Sequence, residues 1–423
     1  MTGGRGAVVL LALFTAVWNG TPDAPTVRVS GLVIDAVTGK GVPDAIVTAF
    51  GREQRSGADG NFSVDAAPPM TIHARAAGYL RTDLQVENAA APRAEIRLTP
   101  FRPKAIYLTV YGIGSTALRT AALDLLDTTE LNALVIDVKG DRGIVPYRSA
   151  IPLAAAAGAQ RVITIRDLPQ LVANLRQRGV YTIARIVLFK DDPLASSRTD
   201  LALRRPDGSV FRDREGLAWT DPYNHEVWAY NIAIAGEAAR AGFDEIQFDY
   251  ARLPDSSGVV YSRPWTAENR EAAIEGFLRE ARKALIPYNV FLAVDIFGYA
   301  CWNTNDTRIG QKLEHLAAIV DYVSPMLYPS GFQYGIPGYR KPIDTPDQIV
   351  RLSLGEARRR TCLPAVRFRP WLQAFRDYAF GGRVFTPELI RKQIDAAEAF
   401  GADGWMIWNP QNRYDARAFK KDR

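Results

Sequence analysis

The chain has 423 residues, of which 47% are hydrophobic and 23% are charged, and its formal net charge is +6. This length exceeds that of a typical single domain, so we expect two domains, and the composition is that of a globular protein. The basic residues are scattered and do not form a stripe, which argues against a nucleic-acid partner.

Residues 1–22 are predicted to be a signal peptide. Arg5 precedes an apolar run from Ala7 to Trp18, and a stretch rich in Thr, Pro and Ala follows. The run is too short to span a bilayer comfortably and no comparable run follows, so we expect no stable membrane span in the mature chain. The protein is therefore expected to be exported, to the periplasm or the extracellular space. There Cys301 and Cys362 could pair, although two cysteines in a large protein do not require it.

Residues 26–99 are predicted to form a small all-β sandwich. Turn signals separate short alternating segments at 27–34, 45–50, 61–64, 71–76 and 94–98. The succession GLVIDAVTGKGVPDAIVTAF, SGADGNFSV and ARAAGYLRTDLQV resembles the carboxypeptidase regulatory-like, or transthyretin-like, domain. The resemblance implies an accessory domain, which would serve as a spacer or weak binding module and carry no catalysis.

Residues 103–415 are predicted to form a (β/α)₈ TIM barrel. Helical periodicity alternates with strand patterns at 105–113, 133–139, 181–189, 245–251, 290–297, 322–328, 368–375 and 404–409. A doubly wound open sheet is the alternative, but no Gly-rich phosphate-binding turn follows the first strand. Connections that leave the strands are long, as at 190–224 and 329–346, whereas those that enter them are short. Long loops therefore gather at the carboxyl end of the barrel, as a binding cleft requires.

The polar side of each strand is expected to face the barrel axis, because the other side must pack on helices. This rule places the following residues towards the mouth: Tyr107, Thr109, Tyr111, Asp137, Lys139, Arg185, Gln247, Asp249, Asp295, Ser324, Met326, Tyr328, Arg369, Trp371, Gln373 and Asn409.

Three of these residues are carboxylates at similar heights, namely Asp137, Asp249 and Asp295. Crowded carboxyl groups raise one another's pKa, so one can stay protonated while another is ionised, and glycoside hydrolysis needs such an acid together with a base or nucleophile. We predict Asp249 and Asp295 to be catalytic. The alternatives are that Asp249 caps a loop or pairs with Arg252, and that Lys139 or Arg185 neutralises one of the carboxylates. Asp137 fits a ligand-binding or structural role.

Aromatic residues lie at or just past the strand ends, as a carbohydrate cleft requires, although aromatic residues also fill large barrels. They are Trp265, Trp302, Trp371, Trp405, Trp408, Tyr250, Tyr299 and Tyr328. The predicted substrate-binding residues are Asp137, Lys139, Arg185, Gln247, Arg252, Trp302, Tyr328, Trp371 and Trp408. A metal-dependent hydrolase would need several histidines at strand ends, and the barrel has only His225 and His315, both in helical segments, so we expect no metal and no cofactor.

Five motifs in the barrel carry a family resemblance. VIDVKGDRGIVPY, YTIARIVLFKDDPLA, EIQFDYARLPD, FLAVDIFG and VDYVSPMLYPSGF resemble a glycoside hydrolase barrel family of uncharacterised substrate, in the clan that includes α-amylases and chitinases. The resemblance implies a glycosidase-like site with Asp249 as the clan's catalytic carboxylate, and the segment SPMLYP is similar to the Met-x-Tyr segment that lines the sugar subsite in chitinase-like barrels. Neither the fourth nor the seventh strand ends in the catalytic Glu of the usual retaining pattern, which leaves the acid and the stereochemistry open.

The sequence therefore predicts an exported glycoside hydrolase whose substrate is a polysaccharide or oligosaccharide of the cell envelope or extracellular matrix. The alternative is a non-catalytic carbohydrate-binding or envelope scaffold protein with a degenerate barrel. Three carboxylates at the mouth favour the enzyme, because a degenerate barrel would be expected to lose them.

Overall fold

The computed structural model of the chain describes residues 27–87 and 93–421. The predicted signal peptide, residues 1–22, lies outside the described residues. Within these ranges the chain forms an all-β region followed by a closed barrel of parallel strands with surrounding helices. The predicted combination of a TIM barrel with an amino-terminal all-β domain is confirmed.

The described part of the β region has seven strands in two sheets. They are β1 (Val27–Asp35), β2 (Ile46–Ala49), β3 (Arg52–Arg55), β4 (Asn61–Ala66), β5 (Met70–Arg75), β6 (Thr82–Val86) and β7 (Ala94–Leu98). One sheet has the order β4-β1-β7 and the other β3-β2-β5-β6, and Val33, Val47 and Ile72 are fully buried between them. Sequence patterns missed β3 and β6. Both lie at the edges of their sheet, where a strand has little apolar surface to bury.

Eight parallel strands close the barrel. They are β8 (Lys104–Leu108), β9 (Ala133–Lys139), β10 (Tyr181–Val187), β11 (Glu245–Asp249), β12 (Phe291–Phe297), β13 (Tyr322–Met326), β14 (Trp371–Gln373) and β15 (Trp405–Trp408). They follow one another in chain order around the barrel, and β15 pairs with β8. All carboxyl ends therefore meet at one mouth, which is where this fold places its functional groups.

Helices surround the barrel. They are α1 (Val110–Gly114), α2 (Thr116–Thr128), α3 (Pro152–Ala156), α4 (Leu168–Gln177), α5 (Asp192–Ser197), α6 (His225–Ala241), α7 (Ala267–Leu285), α8 (Leu313–Ala317), α9 (Pro346–Thr361) and α10 (Pro387–Phe400). Their bounds follow capping chemistry. The Asn224 side chain accepts the backbone N–H of Glu226 at the start of α6, and Gly242 ends that helix at φ 102°, a conformation that favours glycine.

The first barrel strand is shorter than predicted. It ends at Leu108, and the Thr109 side chain then accepts the backbone N–H of Gly112 over 2.9 Å and begins α1. The expectation that Thr109 and Tyr111 belong to an inward-facing strand is therefore wrong. Tyr111 is 53% exposed on α1.

The β region closes the amino-terminal end of the barrel. Ala77, Leu80 and Phe101 pack against the side chains inside the barrel, and Phe101 stacks on Tyr181 with a centroid distance of 5.6 Å. The backbone N–H of Gly78 also donates to the hydroxyl of Tyr322 over 3.2 Å. The β region therefore forms a floor for the barrel, at the end opposite the mouth.

Arg369 was predicted to lie at the mouth, and this prediction is wrong because the residue lies at the floor. Its guanidinium pairs with Glu245 and, over 2.8 Å, with Asp403, and all three side chains are fully buried. The error arises because β14 begins only at Trp371, so Arg369 precedes the strand.

Within the described ranges, no helix combines the length and the apolar character needed to cross a membrane. Cys301 is buried, Cys362 is exposed, and both are free thiols, so the pairing left open by the sequence is not found.

Candidate active site

Asp249 is the last residue of β11 and is held by three hydrogen bonds. Arg185 on the neighbouring strand donates to its Oδ2 from Nε over 3.0 Å and from a terminal nitrogen over 2.5 Å. The backbone N–H of Tyr250 donates to its Oδ1 over 2.5 Å, and Tyr250 has a φ of 50°, which non-glycine residues adopt rarely and often at functional sites. Asp249 therefore pairs with Arg185, and the alternative partner Arg252 contacts Asp255 instead, at 3.6 Å.

Arg185 is the centre of a cluster of carboxyl groups at the mouth, formed by Asp137, Asp141 and Asp249. Besides Asp249, its guanidinium donates to Asp137 Oδ1 and to Asp141 Oδ1, each over 2.7 Å. It also lies 4.7 Å from the centroid of the Trp408 ring. The side chain is only 1% exposed, and a buried charge of this kind is stable only when several partners compensate its loss of water.

Asp137 occupies the neighbouring strand β9. Its Oδ2 accepts the hydroxyl proton of Tyr107 over 2.6 Å. Burial raises the pKa of Asp137 to about 7, while the positive charge of Arg185 acts in the opposite direction. A Cβ atom on Gly140 would stand 2.9 Å from Asp137 Oδ2, so any other residue there would force this carboxyl group or the loop to shift.

Asp295, on β12, has a different environment. The indole N–H of Trp371 donates to its Oδ1 over 2.8 Å, whereas its Oδ2 is buried without a hydrogen-bond partner among the described residues. Burial raises the pKa of Asp295 well above its usual range, the charge of Asp249 adds to this, and Arg185 opposes it. These conditions favour the protonated form of this carboxyl group over the ionised form.

Aromatic rings form the wall beside the carboxyl groups. Trp408 stacks on Tyr107 at a centroid distance of 4.1 Å and meets Trp371 edge-on at 5.4 Å. Tyr328 is half-buried and packs against the same inner cluster. Burial and the charges of Asp295 and Asp249 raise the pKa of Tyr328 well above its usual value. The mouth thus combines carboxyl groups with flat apolar rings, which suits a polar ligand with apolar faces.

Lys139 does not lie with the carboxyl groups. Its Nζ donates to the carbonyl of Leu188 over 3.0 Å and to Asn231 on α6 over 2.8 Å, and it pairs with Asp191 at 2.6 Å. The expectation that Lys139 faces the barrel axis is wrong because the pairing of β9 and β10 shifts by one residue beyond Arg185. Such a shift turns the following side chain to the other face of the sheet.

Two further predicted binding residues, Gln247 and Arg252, are buried. Gln247 is fully buried below Asp249, where it donates to Ser324 over 3.2 Å. Arg252 is buried against the rings of Phe297, Tyr250 and Trp219.

Two of the aromatic residues predicted at the mouth contact the surrounding helices. Trp302 is half-buried and donates to Ser353 on α9 over 2.9 Å. Trp405 faces the helices and donates to Glu398, so its inclusion among the cleft aromatics is wrong.

Asp141 is the site residue that the sequence did not single out. It follows β9 by two positions, in a loop, and its side chain is 39% exposed while it pairs with Arg185. Its signal was a carboxylate at the start of a long loop at the mouth, but strand periodicity gives no direction for a loop side chain.

A possible metal-binding group lies outside the mouth. In the part of the chain that the structure describes, Glu271, Glu275 and His315 are the residues whose potential ligand atoms lie within 4.8 Å of one another. They belong to α7 and α8, and His315 is already 2.7 Å from Glu275. This group is separate from the carboxyl cluster around Arg185.

Comparisons with known proteins give a family match and several similar solved structures. A model of the family described as "Putative glycosyl hydrolase domain" matches residues 105–414. The glycoside hydrolase domain of PgaB (BpsB) from Bordetella bronchiseptica has 16% identity and a TM-score of 0.56, over 76% of this chain and 99% of that one. A hypothetical protein from Ruminiclostridium thermocellum has 36% identity and a TM-score of 0.40, over 45% of this chain and 96% of its own. A class V chitinase from Pseudomonas fluorescens has 15% identity and a TM-score of 0.44, over 75% of this chain and 97% of that one. No curated protein gives a significant match.

Proposed function

The chain belongs to the family described as a putative glycosyl hydrolase domain, and on that premise we propose that it is an exported glycoside hydrolase acting on a polysaccharide of the cell envelope or extracellular matrix. The observation that carries this proposal is the contrast between two carboxyl groups at the mouth. Asp249 is surrounded by hydrogen-bond donors, whereas Asp295 is buried with one oxygen unpartnered among the described residues. Two carboxyl groups with opposite environments supply the acid and the anion that glycoside hydrolysis needs.

Asp295 is the proposed general acid. As the glycosidic C–O bond breaks, the proton on Asp295 passes to the leaving oxygen, and Asp295 is left as a carboxylate. The indole N–H of Trp371, already bonded to Oδ1, stabilises that negative charge. Asp295 then accepts a proton to restore the starting state, either from the water that hydrolyses a glycosyl-enzyme on Asp249 or, if Asp249 acts as the base, from solvent.

Asp249 is the proposed base or nucleophile. It either attacks the anomeric carbon or takes a proton from the water that does so, and the guanidinium of Arg185, which donates to its Oδ2, fixes its orientation. The sugar rings on either side of the cleaved bond are proposed to be positioned by Asp137, Tyr328, Trp371 and Trp408. Export is supported by the apolar run that follows Arg5 near the amino terminus.

A non-catalytic carbohydrate-binding protein is the second candidate. The observation that favours it is the low exposure of the carboxyl residues, 5% for Asp249 and 1% for Asp295. In such a protein the carboxyl groups and Arg185 would form a structural ion cluster, and sugars would contact only the aromatic wall.

Reducing-end release from a polysaccharide panel separates the two candidates. The panel contains chitin, deacetylated chitin, cellulose, mixed-linkage glucan, starch and purified peptidoglycan, and each polymer is also tested for binding. The proteins are wild type, Asp249→Asn and Asp295→Asn, with Asp65→Asn as control because Asp65 is an exposed residue of the β region.

We expect wild type and Asp65→Asn to release reducing ends from at least one polymer, and each mouth variant to lose at least about a hundredfold in rate. Wild-type rates in both mouth variants would contradict the catalytic assignment. Binding without release by any of the four proteins would establish the non-catalytic candidate.

A further inference from the structure

A second group of aromatic rings leads outwards from the mouth. Tyr328 meets Phe375 edge-on at a centroid distance of 5.3 Å and an angle of 81°. Phe375 is in turn parallel to Tyr378 within 3°, at 6.1 Å. The three residues run from a half-buried position beside the carboxyl groups to the surface, where Tyr378 is 62% exposed.

The loop that carries Tyr378 is held by a buried carboxylate. Asp377, only 4% exposed, accepts the hydroxyl of Ser330 over 2.7 Å and the backbone N–H groups of Ala379, Phe380 and Gly382 over 2.8–3.0 Å. These bonds tie the loop that follows β14 to the loop that follows β13, so two mouth loops share one support.

Gln373, the last residue of β14, completes that support. Its side chain donates to Ser330 Oγ over 2.7 Å and accepts the backbone N–H of Ser330 over 3.0 Å. The frame runs from a barrel strand to the loop tip. Hydrogen bonds therefore fix the loop that carries Tyr378. The Tyr378 ring itself is mostly exposed to solvent and buries little apolar surface against the rest of the protein.

We propose that Phe375 and Tyr378 form a distal sugar subsite, which binds a residue of the same glycan chain beyond the one at Tyr328. The proposal rests on the proposed function and deepens it, because it assigns residues that bind the polysaccharide away from the point of cleavage and so make the enzyme prefer long chains. A flat ring suits the apolar face of a pyranose, and the phenol hydroxyl at its rim can contact a sugar hydroxyl. The occupant follows from continuity, since a chain that leaves the carboxyl groups past Tyr328 meets Phe375 and then Tyr378.

Chain length is the variable that tests this subsite. The probes are oligosaccharides of increasing length, from the disaccharide upwards, prepared by partial acid hydrolysis of the panel polymer that wild type cleaves or, if none is cleaved, of the polymer that it binds. The variants are Tyr378→Ala, Tyr378→Phe, which keeps the ring, and Val384→Ala, a control in the same region at 61% exposure. The readouts are kcat/KM and the Kd of the same substitutions in an Asp295→Asn background.

We expect Tyr378→Ala to lower kcat/KM and raise Kd about tenfold for long oligosaccharides, and to leave the shortest ones unchanged. Val384→Ala is expected to match wild type at every length, and Tyr378→Phe is expected to lose much less affinity for long oligosaccharides than Tyr378→Ala, because it keeps the ring and lacks only the hydroxyl. The melting temperature should not change, because the Tyr378 ring is exposed.

The possible failures are distinguishable. If Tyr378→Ala equals wild type at all lengths, the distal subsite is wrong, while cleavage by wild type still supports the hydrolase. If Tyr378→Ala weakens short and long oligosaccharides equally, Tyr378 acts at the mouth and the distal subsite is again wrong. If wild type neither cleaves nor binds any polymer of the panel, the subsite and the proposed function fail together.

Discussion

Trp371 donates its indole N–H to Asp295 Oδ1 over 2.8 Å and thereby contacts one oxygen of the carboxyl group, while the other, Oδ2, is buried and has no partner within the described ranges. The single donor stabilises the ionised form of Asp295 and lowers its pKa, against the larger effect of burial. This hydrogen bond therefore lowers the pKa of the proposed general acid, and its removal should raise that pKa.

Trp371→Phe is expected to raise the pKa of Asp295. A general acid must be protonated, so activity is lost as the pH rises through its pKa, and a higher pKa moves that alkaline limb upwards, by about one pH unit for one lost hydrogen bond to a charged group. The measurement is the pH profile of kcat/KM on the polymer that wild type cleaves. Trp405→Phe is the matched control, since Trp405 donates to Glu398 among the outer helices. A profile shifted to lower pH, or unshifted, would contradict the role of the Trp371 bond.

Arg185→Gln is expected to destabilise the fold strongly. The change removes the positive charge that Asp137 and Asp249 share in the barrel interior, and leaving buried carboxylates uncompensated costs about 3–5 kcal/mol. Urea unfolding at neutral pH measures the loss. Arg198→Gln is the control, because Arg198 pairs with Asp200 and Glu226 at the surface, where such pairs contribute about 0–1 kcal/mol.

A second substitution separates the charge effect from packing. Asp249→Asn in the Arg185→Gln background removes the carboxylate that accepts two hydrogen bonds from the guanidinium, so the double variant should regain part of the lost free energy of unfolding. Equal stability of the single and double variants would show that the guanidinium acts by filling space.

The predicted strands agree best with the structure where both faces of a strand are buried. β9 (Ala133–Lys139) is fully buried along its length and has the predicted bounds, because its apolar residues lie on both faces, as in a covered parallel strand. Helical periodicity at 168–177 and 387–400 likewise predicts the observed bounds of α4 and α10, and a proline stands in the first turn of each helix. In these elements local pattern and tertiary packing impose the same requirement.

The site could be predicted only in part, because its geometry depends on pairing register and on loops. Alternation correctly directs Asp137, Arg185 and Asp249 to the axis, but it fails at Lys139, where one shifted residue reverses the face. No periodicity could show that Asp141 folds back onto Arg185 from a loop. Such contacts follow from three-dimensional closure of the barrel and not from local sequence.

Asp137→Asn is expected to change how stability depends on pH. Burial raises the pKa of Asp137 from its ordinary 3.8 to about 7, so the folded state holds this proton more tightly than the unfolded chain does. The stability that this group contributes is fully present below about pH 4 and is lost as the pH rises to about 7. Relative to wild type, Asp137→Asn should therefore become more stable as the pH increases across this window. Urea midpoints of both proteins at several pH values test this, and a difference independent of pH would contradict it.

Arg81→Ala is expected to weaken the attachment of the β region to the barrel floor. Arg81 donates to the backbone carbonyls of Gly242, Phe243 and Tyr288 over 3.1–3.2 Å, and these residues lie in turns that enter barrel strands. Removing the side chain leaves three carbonyl groups without this donor, at a cost of about 1–3 kcal/mol. Arg97→Ala is the matched control, because Arg97 is an exposed residue of β7 paired only with Glu95 among the described residues.

Calorimetry of the full chain measures this coupling. Because the β region supplies the side chains that close the barrel floor, wild type should unfold in one transition, and Arg81→Ala should lower its temperature or split it in two. Arg97→Ala should reproduce the wild-type trace. If Arg81→Ala also reproduces it, the floor does not depend on this arginine, and the packing of Leu80 and Phe101 inside the barrel must be sufficient to hold the two regions together.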